Sequence, residues 1–280
     1  MKEVEEIVAI ASTSIFVSAT VLNIIFIYMI RNGTRSAVGQ AYKHILISFA
    51  ICNIIFASME FSAKPGVFIY GTSLMTFSCG FFHSMKPWGF ISLCIFMTMY
   101  GVNTALLTLH FVYRYVALCR HKLLHIFEDS ASVSAVTLSV LSWGFVYGFI
   151  TFYCFAATDD YYDYANSSIY AKFGVEAHSL SFFCIFTHKV VEGITTIYWL
   201  STLGLSLIIV MMVITFGLML FCGVEMYRTL KKSSMSQKSK ALQTQLLKAL
   251  AVQAAVPFFT SYVSRVLMYA TVIMGMPPLQ

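Results

Sequence analysis

From Pro87 to Tyr113 the chain runs 27 residues without a Lys, Arg, Asp or Glu. A helix needs roughly 20 apolar residues to cross the hydrocarbon of a bilayer, and only a helix or closed barrel satisfies its own backbone there. The run therefore predicts a transmembrane helix over about 88–113. Arg114 is the first charge after Lys86, so it falls at a membrane mouth, and Arg120, His121, Lys122 and His125 make that mouth basic. Within the run, Phe96, Tyr100, Asn103, Leu107, His110 and Arg114 recur at intervals of four and three, which puts them on one helical stripe. An amide, an imidazole and a guanidinium on one stripe are costly against lipid. The stripe is expected to face other helices. Two readings are open: a central helix whose polar groups are satisfied by its neighbours, or that helix with a ligand cavity at its outer end and a partner-contacting arginine at its inner end.

Further apolar runs predict spans at about 7–30, 44–61, 133–157, 195–224 and 246–274, six in all. Apolar residues make up 59% of the chain and charged ones 11%, against about 45–50% and 25% in soluble domains. The fold class expected is all-α: a polytopic transmembrane helical bundle forming one domain over 1–280, with an acidic connection at 158–194 and a basic one at 225–245. The stretch 66–85 is uncharged but rich in Gly, Ser and Thr. Read as a loop, it leaves 12 of the 18 Lys and Arg on one side and five on the other, with Arg265 inside the last span. The positive-inside rule then puts the N-terminus outside. Read as a span, it would send the basic connections outside, against that rule. It is taken as an outer loop on the membrane surface, capping the bundle. The first apolar run follows an acidic opening and exceeds the roughly 7–15 residues of a signal h-region, so it reads as a retained span.

No catalytic set is visible: there is no HExxH, no GxSxG and no Gly-rich phosphate loop. The seven cysteines contain no CxxC and the histidines do not pair at ligand spacing within a span. No enzymatic activity, metal or cofactor is expected. The net charge of +6 sits in connections between spans, which argues against a nucleic-acid partner. A voltage sensor would need an Arg-rich span, and a transporter usually carries intramembrane acids or broken paired helices. On the outer side, Asn166-Ser167-Ser168 is an N-glycosylation sequon. Cys79 and Cys184 both fall there, where oxidising conditions permit a disulfide, and a bridge and two free thiols are both open. Pro257 lies mid-span, where it removes a backbone hydrogen bond; it is either a static kink or a hinge. Arg265 either snorkels to the outer interface or faces a ligand.

Three stretches carry a resemblance: Gly39 to Ala50 (GQAYKHILISFA), Leu109 to Tyr115 (LHFVYRY) and Gln245 to Pro257 (QLLKALAVQAAVP). In order and spacing they resemble the nematode serpentine chemoreceptors of the Str and Srj type, which are rhodopsin-like in organisation. The resemblance implies a receptor for small, often volatile molecules that couples to a heterotrimeric G protein in the sensory cilium of chemosensory neurons. It makes Arg114 the inner-mouth arginine and Pro257 the sixth-span hinge. Tyr113 stands where many rhodopsin-like receptors carry an acid beside that arginine, so another restraint is needed, for which Glu225 is the candidate. Gly89 stands where those receptors often carry the outer disulfide cysteine, so a bridge would have to use Cys79 or Cys94. The family has seven spans and six are counted here; the seventh would follow Gln280.

The function expected is thus a receptor with Phe96, Tyr100, Asn103, Tyr262 and Arg265 around a small apolar or weakly polar ligand, and His110, Tyr113, Arg114 and Tyr115 at the G-protein face. Besides the ligand and the G protein, membrane lipid is its partner, and the multi-pass chain is expected in the plasma membrane. The competing classes are a transporter or channel subunit and a non-signalling receptor fragment.

Overall fold

The uncharged run folds as the helix α3 (Trp88–Cys119) in a computed structural model that describes residues 2–33, 40–191, 194–232, 236–263, 266–267 and 269–270. Its 32 residues rise about 48 Å, against a hydrocarbon core of about 30 Å, so it is longer than a bilayer's hydrocarbon is thick. Around it stand α1 (Lys2–Gly33), α2 (Gln40–Ala63), α4 (Ser130–Cys154), α6 (Trp199–Lys232) and α7 (Gln237–Pro257). Among the described residues five helices, α1, α2, α3, α4 and α6, are long and apolar enough to cross a membrane. The predicted sixth span begins within α7, and its outer part runs past the described residues. In its most apolar window α3 is 56% buried, against at most 33% for the others. It is the central helix, as its polar stripe requires.

Helix ends follow local chemistry. The Asp129 carboxylate accepts from the backbone N–H and the hydroxyl of Ser132, each at 3.0 Å, and so caps α4. Those hydrogen bonds hold its carboxyl below the usual range. The acidic connection expected at 158–194 contains a helix of its own, α5 (Asp159–Phe173). Asp159 and Asp160 in its first turn and Lys172 in its last complement the helix dipole.

The stretch 66–85 is not a span. Within it and its neighbourhood β1 (Pro65–Tyr70) and β2 (Ser73–Ser78) form a hairpin, and β3 (Phe182–Phe186) pairs antiparallel on β2. The turn Gly71-Thr72 needs a glycine: Gly71 has φ +52°, and a Cβ there would collide with the Tyr164 hydroxyl. A second hairpin pairs β4 (His188–Val191) with β5 (Ile194–Ile197). The three-stranded sheet is a layer between two apolar clusters. Phe182, Cys184 and Phe186 point to α5, with Tyr161, Ala165 and Ile169. Phe183 and Ile185 point to the bundle, with Leu93, Tyr147, Phe155 and Leu205. This is the strand period of two with both faces buried. The outer connections therefore fold into a packed lid rather than a surface loop.

Where α4 crosses α3, glycines stand at the closest approach. Gly144 and Gly148 lie one turn apart, Gly144 against Gly101 and Gly148 against Thr98. A Cβ at 144 would meet the backbone of α3 at Thr98 O (2.7 Å) and Val102 N (2.9 Å), and one at 101 would meet the Gly144 Cα at 2.8 Å. Small residues spaced by four let two membrane helices approach backbone to backbone.

Candidate functional site

Arg114 projects from the penultimate turn of α3 and is half-buried. Its guanidinium carbon lies 4.1 Å from the centre of the Tyr42 ring, a cation–π contact. Tyr42 in turn stacks on Tyr113, centroids 5.0 Å apart and 12° between planes. Tyr113 meets Phe127 edge-on at 5.0 Å. Tyr42 and Tyr113 are both buried, so the ring under the arginine is fixed by packing on both helices. Beside Arg114, the inner ends of α3, α6 and α7 enclose a void of about 10 Å³ lined by Leu118, Met226, Leu230, Gln243, Leu246, Leu247 and Leu250. That is room for about one water.

The restraint suggested at Glu225 is corrected by this geometry. Glu225 holds Arg228 at 2.8 Å, three residues along the same helix. The acid missing beside Arg114 is replaced by an aromatic face. No charge or periodicity marks Tyr42, because a second span counted by uncharged residues starts after Lys43. The helix begins earlier, at Gln40, and this brings Tyr42 against α3.

The four residues expected at the G-protein face separate. Tyr115 lies at the mouth with Arg114, its hydroxyl accepting from Arg120 Nε at 3.4 Å. His110 is fully buried between α2 and α3, 4.8 Å from the Phe49 ring and 3.5 Å from the Ile45 carbonyl. Tyr113 lies beneath Arg114 in the aromatic stack. These two support the mouth rather than line it.

Of the five expected ligand residues, Phe96 and Tyr100 fall one turn apart in the central core, Phe96 against Phe56 at 5.4 Å and Tyr100 against Tyr147 at 5.8 Å. Asn103 is half-buried on the next turn, and its Oδ1 has no hydrogen-bond partner among the described residues. Arg265 and the Tyr262 side chain lie outside the described residues. At Pro257 α7 ends, and Phe258–Val263 continues as a π-helical turn. The Phe258 N–H is shared between the carbonyls of Ala254 and Ala255. A widened turn directly after a proline marks a break in helix stiffness.

The disulfide between Cys79 and Cys184 is absent, and both are free thiols. Cys184 is in register with Met75. Cys79 lies four residues further on, about 13 Å along the strand direction, well beyond the roughly 7 Å limit for a bridge. Burial pushes the Cys184 thiol up to about 12, so it stays protonated. Cys94 is free as well. Asn166 is exposed on α5, its side-chain oxygen accepting from the Ala177 N–H at 3.1 Å.

A central helix with a buried polar stripe, packed among long apolar helices and covered at one end by a sheet, defines a multi-pass helical membrane protein. The model of the family described as serpentine type 7TM GPCR chemoreceptor Str matches residues 8–277. The chain belongs to that family. It is 25% identical over 248 residues to the Caenorhabditis elegans G-protein coupled receptor str-33, covering 86% of this chain and 71% of the relative. Against the Caenorhabditis elegans serpentine receptor class r-10 it is 25% identical over 252 residues, with the same coverage. The Caenorhabditis briggsae serpentine receptor class r-10 is 24% identical over 249 residues, covering 86% and 70%. The relatives are receptors and not enzymes, and membership places this chain among nematode chemoreceptors.

Proposed function

We propose that this chain is a G-protein-coupled chemosensory receptor that takes a small apolar or weakly polar ligand in the outer half of the bundle. Arg114 carries the reading. It is a cation held on an aromatic face at the inner mouth of the most buried span, positioned to be released to a partner when α7 moves. The hinge is the break at Pro257 and the π turn after it. Ligand binding favours a bundle state with the inner end open, and the G protein binds that state at Arg114 and the basic connection after α6. Phe96, Tyr100 and Asn103, together with Tyr262 and Arg265, form the ligand site, and the orphaned Asn103 oxygen supplies its polar contact. No acid lies deep in the outer halves of the spans, which disfavours an amine ligand. The receptor sits in the plasma membrane of a sensory cilium with its N-terminus outside.

The test is a cell line carrying the chain and a G-protein-dependent reporter, screened with small apolar volatiles. A response that disappears when G-protein turnover is blocked supports coupling; a ligand-evoked current that persists makes the chain a channel subunit instead. Asn103→Ala and Tyr100→Phe are each expected to shift the dose–response by about tenfold, the order of one lost hydrogen bond in a buried site. An unchanged curve at matched surface level removes the residue from the pocket. The orientation has its own measurement. An epitope at the N-terminus stains intact cells if that end is outside, and Asn166→Gln then removes an endoglycosidase-sensitive mass. Staining that needs permeabilisation inverts the topology.

A further inference from the structure

A groove of about 770 Å³ runs along α6 and α7, with Phe111 of α3 among its lining residues. Its walls are apolar: Phe216, Met219, Leu220 and Val224 on α6, Phe259 just past α7. Leu220, Val224 and Phe259 are exposed, so the groove opens to lipid. At one end the lining changes character. Arg228, Lys231, Lys232 and Lys248 stand there, all exposed, on the two facing helices.

The rise along α6 from Phe216 to Arg228 and Lys232 is about 18 and 24 Å. One leaflet's hydrocarbon is about half of 30 Å. The apolar part of the groove therefore matches an acyl chain in depth, and the four cations sit at headgroup level. Their charge is largely uncompensated. Glu225 is bonded to Arg228, and the sequence holds no Asp or Glu after it. Three lysines at the foot of an acyl-length groove complement an anion carried on a lipid.

We propose that this groove binds an anionic phospholipid, its acyl chain along Phe111 and Phe216 and its headgroup phosphate between Lys231, Lys232 and Lys248. The site rests on the membrane class and the groove alone, so it stands or falls separately from the coupling reading. Bound lipid would bridge α6 and α7 on the segment below Pro257.

The full chain, purified in detergent, is to be titrated during thermal unfolding with phosphatidylglycerol, with phosphatidylcholine of the same acyl chains, and with inorganic phosphate. A saturable rise in Tm is expected with phosphatidylglycerol, at an apparent affinity at least about tenfold above that of phosphatidylcholine. Phosphate alone is expected to give none. The combined Lys231→Gln, Lys232→Gln and Lys248→Gln variant should weaken phosphatidylglycerol on the order of a hundredfold, and the matching Lys→Arg variant should retain it. Gly223→Leu should lose the shift by filling the groove floor; its Cβ meets only Phe111 Cε1, at an ordinary 3.7 Å. Equal affinity for the two lipids, a shift from phosphate alone, or an unaffected triple Lys→Gln variant would each overturn the assignment.

Discussion

Gly144→Leu is expected to remove the receptor from the cell surface. A Cβ at 144 would meet α3 at backbone atoms, Thr98 O at 2.7 Å and Val102 N at 2.9 Å, besides the Val102 side chain. Backbone of a packed helix cannot swing aside as a flexible side chain does, so α4 has to back away from α3. Overpacking of this kind costs about 3 kcal/mol. The cost also spreads, because Tyr147, on the same face of α4, packs on Tyr100 and closes over Gly101. Surface fluorescence should fall several-fold or more, and Gly144→Ala should show part of the loss. The control lies in the same chain: a Cβ at Gly217 of α6 has nothing within 4 Å, so Gly217→Leu should reach the surface normally. If Gly144→Leu and Gly217→Leu express alike, the close α3–α4 crossing is not what holds the bundle.

That crossing shows where reading the residues alone stops. Uncharged runs locate the spans because charge and exposed backbone are excluded from hydrocarbon, a constraint that acts on each segment by itself. The buried stripe on α3 is legible for the same reason: Asn103, His110 and Arg114 have one periodicity and one tolerable direction. The Gly144–Gly148 pair acquires meaning only from what faces it. The lid is hidden differently. All five residues of Phe182–Phe186 are buried, so the strand shows no polar alternation and looks like any short apolar run. The strand β2 it pairs with lies about a hundred residues earlier. Pairings over that distance leave no local mark. The choice between a bridge and two free thiols is settled only at this point, since the side of the membrane shared by Cys79 and Cys184 says nothing about register. At the inner mouth Arg114 was legible as a charge and Tyr42 was not, because an aromatic restraint carries no sign to be counted.

The Tyr42–Arg114 contact yields the other large effect, with changes of opposite direction at its two ends. Arg114→Ala should reduce ligand-evoked G-protein turnover to background at normal surface level. The side chain is half-buried and its contact with Tyr42 contributes about 1 kcal/mol, too little for its removal to unfold the bundle. Tyr42→Leu fills similar space but deletes the face on which the guanidinium rests. In the proposed mechanism that face holds the resting state, with room for about one water beside Arg114. Losing about 1 kcal/mol multiplies the open population roughly fivefold, so ligand-independent turnover should rise by that order. Tyr42→Phe keeps the ring and its stacking on Tyr113, and should stay quiet. The double variant Tyr42→Leu with Arg114→Ala should be silent, because the proposed mechanism makes the released group the one the partner reads. Turnover from Arg114→Ala equal to that of the unaltered chain would remove the arginine from coupling. A quiet Tyr42→Leu beside a dead Arg114→Ala would leave the arginine its role and transfer the restraint elsewhere, with the aromatic stack reduced to packing between α2 and α3.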